Sequence, residues 1–346
     1  MVQKIVLTSP GEIVEMSAPE DREEPEAGEV VVEVQRVGLC GTDYHAFRGE
    51  QPLFRYPRVL GHELAGRVIG RAPDVDLPLG AAVAVIPYMA CGQCRACRAG
   101  RSNCCRGLSV MGVHRDGGLT SRITVDADHI FYPADSQAPQ WDHLVGVEPL
   151  AIGMHAVERA GIDRHDQVVV VGAGPIGLAV LVGASHRGAN VYLLERDPAR
   201  RAFAMQWVPG TQLMDPDSPL HDLEEALGED LASVVVDCTG SGTAMEQSLW
   251  WAGAGGRVVF VGITEGMVAI DDPLFHQREL TVMASRNATR EDFEAAWELI
   301  RTGRADVSRW VLKRYGISAA GLRQAFADWG RGTREATGVK MLLEAD

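Results

Sequence analysis

Lysine is almost missing from this chain. Among 346 residues there are 33 basic side chains, and only Lys4, Lys313 and Lys340 are lysines. Acidic residues number 47, so the formal net charge is −14. The arginine excess reads as compositional bias and not as a binding patch. A surface this acidic argues against nucleic acid as a partner, because phosphate binding depends on clustered Lys and Arg. Also missing is any apolar run approaching the ~20 residues that a membrane span needs. The opening residues, MVQKIVLTSPGEIVEM, lack a signal-peptide core and read as strands. The expected location is therefore the cytoplasm. Thiols stay reduced there, and clustered cysteines more often bind metal than form disulfides.

What is present is a hydrophobic content of 46%, ample for sizeable cores, in a length that favours two domains over one. Up to about residue 150 the pattern is of short β-branched runs between Gly and Pro turns, clearest in GEVVVEVQRVG, HELAGRVIG and AAVAVIPY. A charged loop, APEDREEPEAG, separates the first strand regions. From 152 the pattern changes to strand, glycine turn, helix and strand in VVVVGAGPIGLAVLVGASHRGANVYLLERD, with further strand runs at SVVVDCTG and GRVVFVGI. Strands alternating with helices predict a parallel, doubly wound sheet, and hence an α/β fold. The tail carries the helices REDFEAAWELIRTG and SAAGLRQAFADWG, then the strand GVKMLLE. The economical division is a β-rich domain over 1–151 and 288–346, interrupted by a nucleotide domain over 152–287.

Gly172, Gly174 and Gly177 have G-x-G-x-x-G spacing after four valines and before an apolar helix that Pro175 and Ile176 begin. In that context the first glycine permits a tight turn and the second lets a pyrophosphate approach the backbone. The third lets helix and strand pack closely, and the helix N-terminus faces the phosphates. Glu195 ends the next strand, where an acid accepts the adenosine ribose diol and repels a 2′-phosphate. That favours NAD. Arg196, Arg200 and Arg201 stand close by and keep NADP as an alternative. Thr239 and Gly262, at the ends of SVVVDCTG and GRVVFVGI, complete the candidate cofactor set with Ser285 and Asn287 of ASRNAT.

Five of the seven cysteines fall in CGQCRACRAGRSNCC. Cys91, Cys94, Cys97 and Cys105 have the spacing C-x2-C-x2-C-x7-C, and four thiolates saturate a tetrahedral zinc, the mark of a structural site. An iron–sulfur cluster is the rival occupant. Cys104 is left over, since adjacent residues do not easily ligate one tetrahedral ion. A catalytic zinc keeps an open position and needs scattered ligands. Cys40 of LCGTDYH, His62 and Glu63 of GHE, and Glu148 of VEPLA are the candidates. Taken singly each has a plainer explanation: a core thiol, a hydrogen-bonded histidine, or a Glu148-Pro149 pair that starts a helix.

The motifs CGTDYH, GHELAG, the cysteine lobe, VEPLA and VGAGPIG together resemble the zinc-dependent medium-chain dehydrogenases, essentially from end to end. That resemblance implies a GroES-like β domain with a zinc lobe over about 88–108, an inserted Rossmann domain, and a cleft between them that holds active site and cofactor. It makes Cys91, Cys94, Cys97 and Cys105 the structural zinc ligands, and Cys40 and His62 ligands of a second, catalytic zinc. In the polyol branch the third ligand is either Glu63 or Glu148, with Glu148 ranked first. Thr42 and His45 become relay candidates for the substrate proton, beside the plainer reading of Gly41-Thr42-Asp43 as turn sequence.

The strings YPRVLGHE, VAVIPY, GRSNCC, SVMGVHRDGG and SRNATREDF are similar to the sugar-acid and polyol subgroup, including L-galactonate (L-gulonate) 5-dehydrogenases. Arg286 then becomes a substrate-facing fork for a carboxylate or vicinal hydroxyls. His114 becomes a second candidate for the same cleft, set against a loop hydrogen bond. The resemblance implies an NAD-linked oxidation of a secondary hydroxyl by a homotetramer or homodimer. Sorbitol, xylitol or L-threonine are the alternative substrates within the family. Outside it stand a non-catalytic zinc-binding protein, which the lobe alone would allow, and a zinc-free quinone reductase, which would lack both the lobe and Cys40.

Overall fold

The computed structural model describes all residues except 20–23, 52–53, 135–139, 216–219, 229, 332–337 and 346, and only the backbone of 220–223. Part of the charged loop near the N-terminus thus lies outside the described residues. The chain divides into two compact units. The first comprises Met1–Glu148, Asp306–Ala336 and Lys340–Asp346, and the second Pro149–Ala305 with Thr337–Val339.

The first unit is built on a mixed sheet around the strand Glu29–Leu39. Its valines at 30, 32 and 34 recur at every second position and are buried, as a half-covered strand requires. Glu63–Arg71 lies antiparallel on one side, with Gly38 opposite Glu63. On the other side lies Lys340–Glu344, with Met341 opposite Leu39. The end of the chain therefore returns to the centre of the sheet, beside the segment that carries Cys40. Burying Val or Leu side chains from these strands contributes roughly 1.5–3 kcal/mol each. The helix Gly41–Arg48 follows directly, and its Phe47 stacks on Phe326 of the helix Ala319–Arg331 at 4.7 Å between centroids.

The plainer reading of Glu148-Pro149 does not hold. Glu148-Pro149 does not begin a helix; the helix runs over Trp141–Ala160 with Pro149 inside it. Proline has no N–H to give the carbonyl four residues back. The buried apolar residues Leu144, Val145, Val147, Leu150 and Ala151 carry the helix through on packing instead. The boundary between the two units falls at this same peptide.

The second unit is a parallel sheet in the order Gln212–Met214, Asn190–Leu194, Gln167–Val171, Ala232–Asp237, Ala252–Phe260, Thr281–Ala284. Its central strand, QVVVV, is an unbroken apolar run because helices cover both faces of such a sheet. The chain reverses order beside this strand, which is where doubly wound sheets open a crevice for ligands at the carboxyl ends of the strands. The helix Arg290–Arg301 belongs to this unit as well, so the unit extends past residue 287. His155 and Asp292, 2.8 Å apart, tie it to the long helix.

Candidate active site

The first unit gathers a set of ionisable side chains at the Cys40 end of its central strand. Cys40 caps the helix Gly41–Arg48, and His62-Glu63 opens the neighbouring strand. Ligand atoms of Cys40, His62 and Glu63 all lie within 4.8 Å of one another. Glu148 is buried but is not a member of that trio. Its Oε1 accepts a hydrogen bond from the Tyr88 hydroxyl. The trio therefore brings in Glu63, the carboxylate ranked second in the sequence reading. The local reason is Gly38: a Cβ there would stand 2.2 Å from Glu63 Oε2, so only glycine leaves that oxygen its place. Lys340 Nζ donates to the other oxygen, Oε1.

Asp43 holds the arrangement from behind. It is 1% exposed and accepts hydrogen bonds from the Cys40 N–H at 3.0 Å and the Gly61 N–H at 3.4 Å. Its Oδ1 is 3.8 Å from His62 Nδ1. Burial pushes its carboxyl above the usual range, against the pull of His62. Burial alone would lower His62, yet Asp43 above all, then Cys40 and Glu148, raise it well above its ordinary value. Glu148 is pushed up to about 7, first by burial and then by Glu63. Burial works against charge on Lys340, but Glu63 and Cys40 lift its ammonium above its usual value.

Three atoms here are buried and have no hydrogen-bond partner: His62 Nδ1, Glu63 Oε2 and Glu148 Oε2. Buried polar groups are ordinarily paired, and an uncompensated one costs about 1–3 kcal/mol. A divalent cation would supply a partner for the carboxylate oxygens, while His62 Nδ1 stands 3.8 Å from Asp43 Oδ1. Sulfur, imidazole nitrogen and carboxylate oxygen are the donor types that zinc accepts, and three protein donors leave a position open. The residues present fit a catalytic zinc.

Thr42 Oγ1 is 3.8 Å from Cys40 Sγ. His45, one helical turn further on, is exposed and pairs with Glu50 Oε2 at 3.1 Å. His114 is not gathered with the trio among the described metal-binding groups. Its Nδ1 accepts the Val110 N–H at 3.1 Å, a loop hydrogen bond. Arg286 is exposed in the second unit, just past the strand Thr281–Ala284. Sequence reasoning overlooked Asp43, Tyr88 and Lys340. Asp43 looked like turn polarity, although its place three residues after Cys40 suits a side chain that reaches back to cap a helix. Tyr88 carried no signal. The scarcity of lysine was the one hint at Lys340.

The cysteine lobe lies apart from the trio as a second group. The sulfurs of Cys91, Cys94, Cys97 and Cys105 are mutually within 4.8 Å, and all seven cysteines are free. The short strands Tyr88–Met89 and Ser109–Val110 pair to close its base. Cys105 Sγ accepts the N–H groups of Cys91 and Gly107, each at 3.3 Å. Backbone N–H groups, led by that of Cys97, lower the Cys94 thiol to about 6, whereas desolvation pushes Cys97 up to about 12. Four thiols this close cannot all ionise beside one another without a cation. Donated N–H bonds of this kind also fix metal-bound sulfur. Cys104 is outside the group and exposed, and Arg101 Nη2 donates to its sulfur at 3.8 Å.

In the second unit Gly172 has φ +93°, which a side chain disfavours, and a Cβ on Gly177 would stand 1.8 Å from the Gly172 carbonyl oxygen. Gly174 caps the helix Pro175–His186, and nothing lies within 4 Å of where its Cβ would be. Glu195 sits against this turn, accepting the Ala173 N–H at 2.7 Å and the Asp197 N–H at 2.8 Å. Arg196 and Arg200 are exposed beside it. Thr239 bonds back to Asp237 at 2.9 Å, and a Cβ on Gly262 would stand 2.2 Å from the Gly240 nitrogen. Ser285 Oγ and Asn287 Nδ2 are buried without partners, and Asn287 has a left-handed φ of 53°. Open backbone at a helix N-terminus and unpaired polar atoms past the strand ends fit a dinucleotide.

Comparison with known proteins identifies the family. Residues 26–135 match the family described as alcohol dehydrogenase GroES-like domain, and residues 175–302 match zinc-binding dehydrogenase. The chain is 44% identical over 294 residues to L-galactonate-5-dehydrogenase of Escherichia coli strain K12, covering 84% of this chain and 85% of that protein. Among solved structures it resembles a zinc-binding dehydrogenase from Sinorhizobium meliloti 1021 bound to NADP, with TM-score 0.86, 31% identity and 99% of each chain covered. It also resembles an alcohol dehydrogenase (rspB) from Escherichia coli CFT073 complexed with cofactor NADH, with TM-score 0.88, 25% identity and 99% of each chain covered.

Proposed function

The chain belongs to the zinc-dependent medium-chain dehydrogenases, in their sugar-acid and polyol branch, and from that premise we propose that it oxidises a secondary hydroxyl of a sugar acid to the ketone in the manner of L-galactonate (L-gulonate) 5-dehydrogenases. The observation that carries the proposal is the buried trio Cys40, His62 and Glu63 with its unpaired donor atoms, in a chain 44% identical to L-galactonate-5-dehydrogenase.

Cys40, His62 and Glu63 would hold the catalytic zinc, with Glu148 as the alternate carboxylate, and Cys91, Cys94, Cys97 and Cys105 would hold the structural one. When bound, the catalytic zinc supplies Lewis acidity that makes a substrate hydroxyl acidic near neutral pH, and NAD supplies the hydride acceptor. With the hydride going to that acceptor, the hydroxyl proton would have to leave through this chain's own residues. Thr42 passes that proton outward, and His45, exposed and paired with Glu50, delivers it to bulk water. Glu195 keeps lone pairs for the ribose hydroxyls beyond the two N–H bonds it accepts, and its charge repels a 2′-phosphate. Arg196 and Arg200 keep NADP as the less favoured cofactor. Gly172, Gly174, Pro175, Ile176 and Gly177 form the phosphate turn, while Thr239, Gly262, Ser285 and Asn287 line the rest of the cofactor site. Arg286 binds the substrate carboxylate. His114 is the second candidate for the substrate, and its Nδ1 already accepts the Val110 N–H. The enzyme works in the cytoplasm as a homotetramer or homodimer; among the described residues no helix is long and apolar enough to cross a membrane.

The test is an NAD+ reduction screen across L-galactonate, L-gulonate, sorbitol, xylitol and L-threonine, repeated with NADP+. The highest kcat/KM is expected for an aldonate with NAD+. A clear preference for sorbitol, xylitol or threonine would overturn the substrate assignment, and faster turnover with NADP+ the cofactor assignment.

A further inference from the structure

We infer that Tyr88 is a positioning residue that makes the placement of Glu148 depend on the cysteine lobe. The inference rests on the reading of Glu148 as the alternate carboxylate of the catalytic zinc.

Tyr88 belongs to two structures at once. Its backbone lies in the strand Tyr88–Met89, opposite Val110, in the pair of short strands that closes the base of the lobe. The Met111 N–H donates to the Pro87 carbonyl at 3.0 Å and extends that clip. Cys91 stands just past one strand of the clip, and Cys105 just before the other. The Tyr88 side chain leaves the lobe. The residue is 7% exposed, and its hydroxyl donates to Glu148 Oε1, 60 residues away in sequence. Glu148 is 3% exposed and its Oε2 is unpaired. Its charge reaches both His62 and Glu63.

Packing alone would be served by phenylalanine, whereas a buried tyrosine hydroxyl needs a partner. Here the partner is a carboxylate beside the buried group. Tyrosine has only two side-chain torsions, so its hydroxyl has little freedom once its backbone is held. The backbone is held by a ladder of two residues a side, which is marginal by itself. Four cysteines joined through one metal supply the missing cross-link, because metal binding to such a lobe contributes folding free energy. Emptying the lobe loosens the clip, moves Tyr88 and takes the donor away from Glu148. The path is continuous: lobe metal, Cys91 and Cys105, the clip, Tyr88, Glu148.

The experiment uses the full chain with cobalt(II) in the buried site and zinc in the lobe. It compares wild type with Y88F, E148Q, C105A and the combined Y88F/C105A. The visible bands report the surroundings of the buried metal, and graded chelator reports its affinity. Y88F is expected to keep the lobe zinc, to shift the cobalt bands and to hold the buried metal about 10–100-fold more weakly. C105A, with its lobe empty, is expected to shift the same bands and weaken the same site. The combined variant should be no weaker than Y88F alone, since both changes break one path. If Y88F matches wild type in bands and affinity while E148Q does not, Tyr88 does not position Glu148 and the inference fails alone. It fails also if C105A leaves the buried site unchanged, or if its effect is repeated in full on top of Y88F. If E148Q leaves both readouts unchanged, the reading of Glu148 fails first. Where C105A does not fold, C91A takes its place, because Cys91 is the exposed member of the lobe.

Discussion

The two metal-binding groups of the first unit are built in opposite ways. The cysteine lobe draws four identical donors from residues 91–105, near the surface, and closes them with turns and a two-stranded clip. The trio of Cys40, His62 and Glu63 uses three different donor types from the ends of two strands, and its supports come from Asp43 and Lys340. The lobe uses all four donors on itself. The buried group leaves His62 Nδ1, Glu63 Oε2 and Glu148 Oε2 unpaired. A saturated set fixes a fold, and an unsaturated one keeps a position for a reactant. The difference teaches that a dense set of like donors suits a structural site, while unpaired buried atoms of mixed donors suit a reactive one.

The most severe way to break this contrast is Cys40→Ala. It removes one donor of the trio and touches nothing in the lobe. Metal analysis should fall from two zinc per chain to one, and NAD-linked turnover should drop by about 10^3-fold or more, the scale of several kcal/mol of lost charge stabilisation. Retention of both metals and full turnover would show that the reactive site lies elsewhere.

Cys105→Ala attacks the other side. Cys105 is the buried member of the lobe, and its sulfur accepts two backbone N–H groups. Losing the lobe metal should cost stability on the order of 4 kcal/mol, because loss of a metal is among the few mechanisms with effects that large. Calorimetry should record a lower melting temperature, and the remaining zinc should sit in the buried group. An unchanged melting temperature with one zinc lost would separate the lobe from stability.

A smaller effect is expected from Gly38→Ala. The new methyl would overlap Glu63 Oε2 unless the carboxylate turns away. Overpacking of this kind costs about 1–3 kcal/mol, and the displaced oxygen should lower zinc affinity in the buried group while the lobe stays loaded. Equal loss from both sites would point to general damage instead.

The same contrast explains what could be read from the sequence. The lobe and the glycine turn at 172–177 are contiguous strings, so residue spacing alone announces them. The strand Glu29–Leu39 announces itself by alternation. The support of the buried group does not, because it depends on sheet register. Nothing near Lys340 in sequence points to Glu63, and the two meet only when Lys340–Glu344 pairs with Glu29–Leu39. Asp43 has a local signal that reads equally well as a turn. The place of Glu63 Oε2 near Cys40 and His62 depends on a missing side chain at Gly38, which spacing cannot express. Glu148-Pro149 shows the converse: its local helix-start signal is overruled by apolar packing along Trp141–Ala160.

The finest distinction is between neighbours, Cys104 and Cys105. Cys104 ends the short 3-10 turn Ser102–Cys104, whereas Cys105 is extended with ψ 133°. That change of backbone sends the two side chains apart. The sulfur of Cys105 turns inward to the lobe, while that of Cys104 lies exposed beside Arg101. Cys104→Ser should therefore leave both zinc ions bound and shift stability by no more than about 0.5 kcal/mol, the ordinary range for a surface exchange. Loss of lobe zinc in this variant would mean that the fifth thiol takes part after all. The complementary result is equally informative: in Cys105→Ser the adjacent Cys104 should fail to replace its neighbour, since reaching the other three sulfurs would require the turn to unwind.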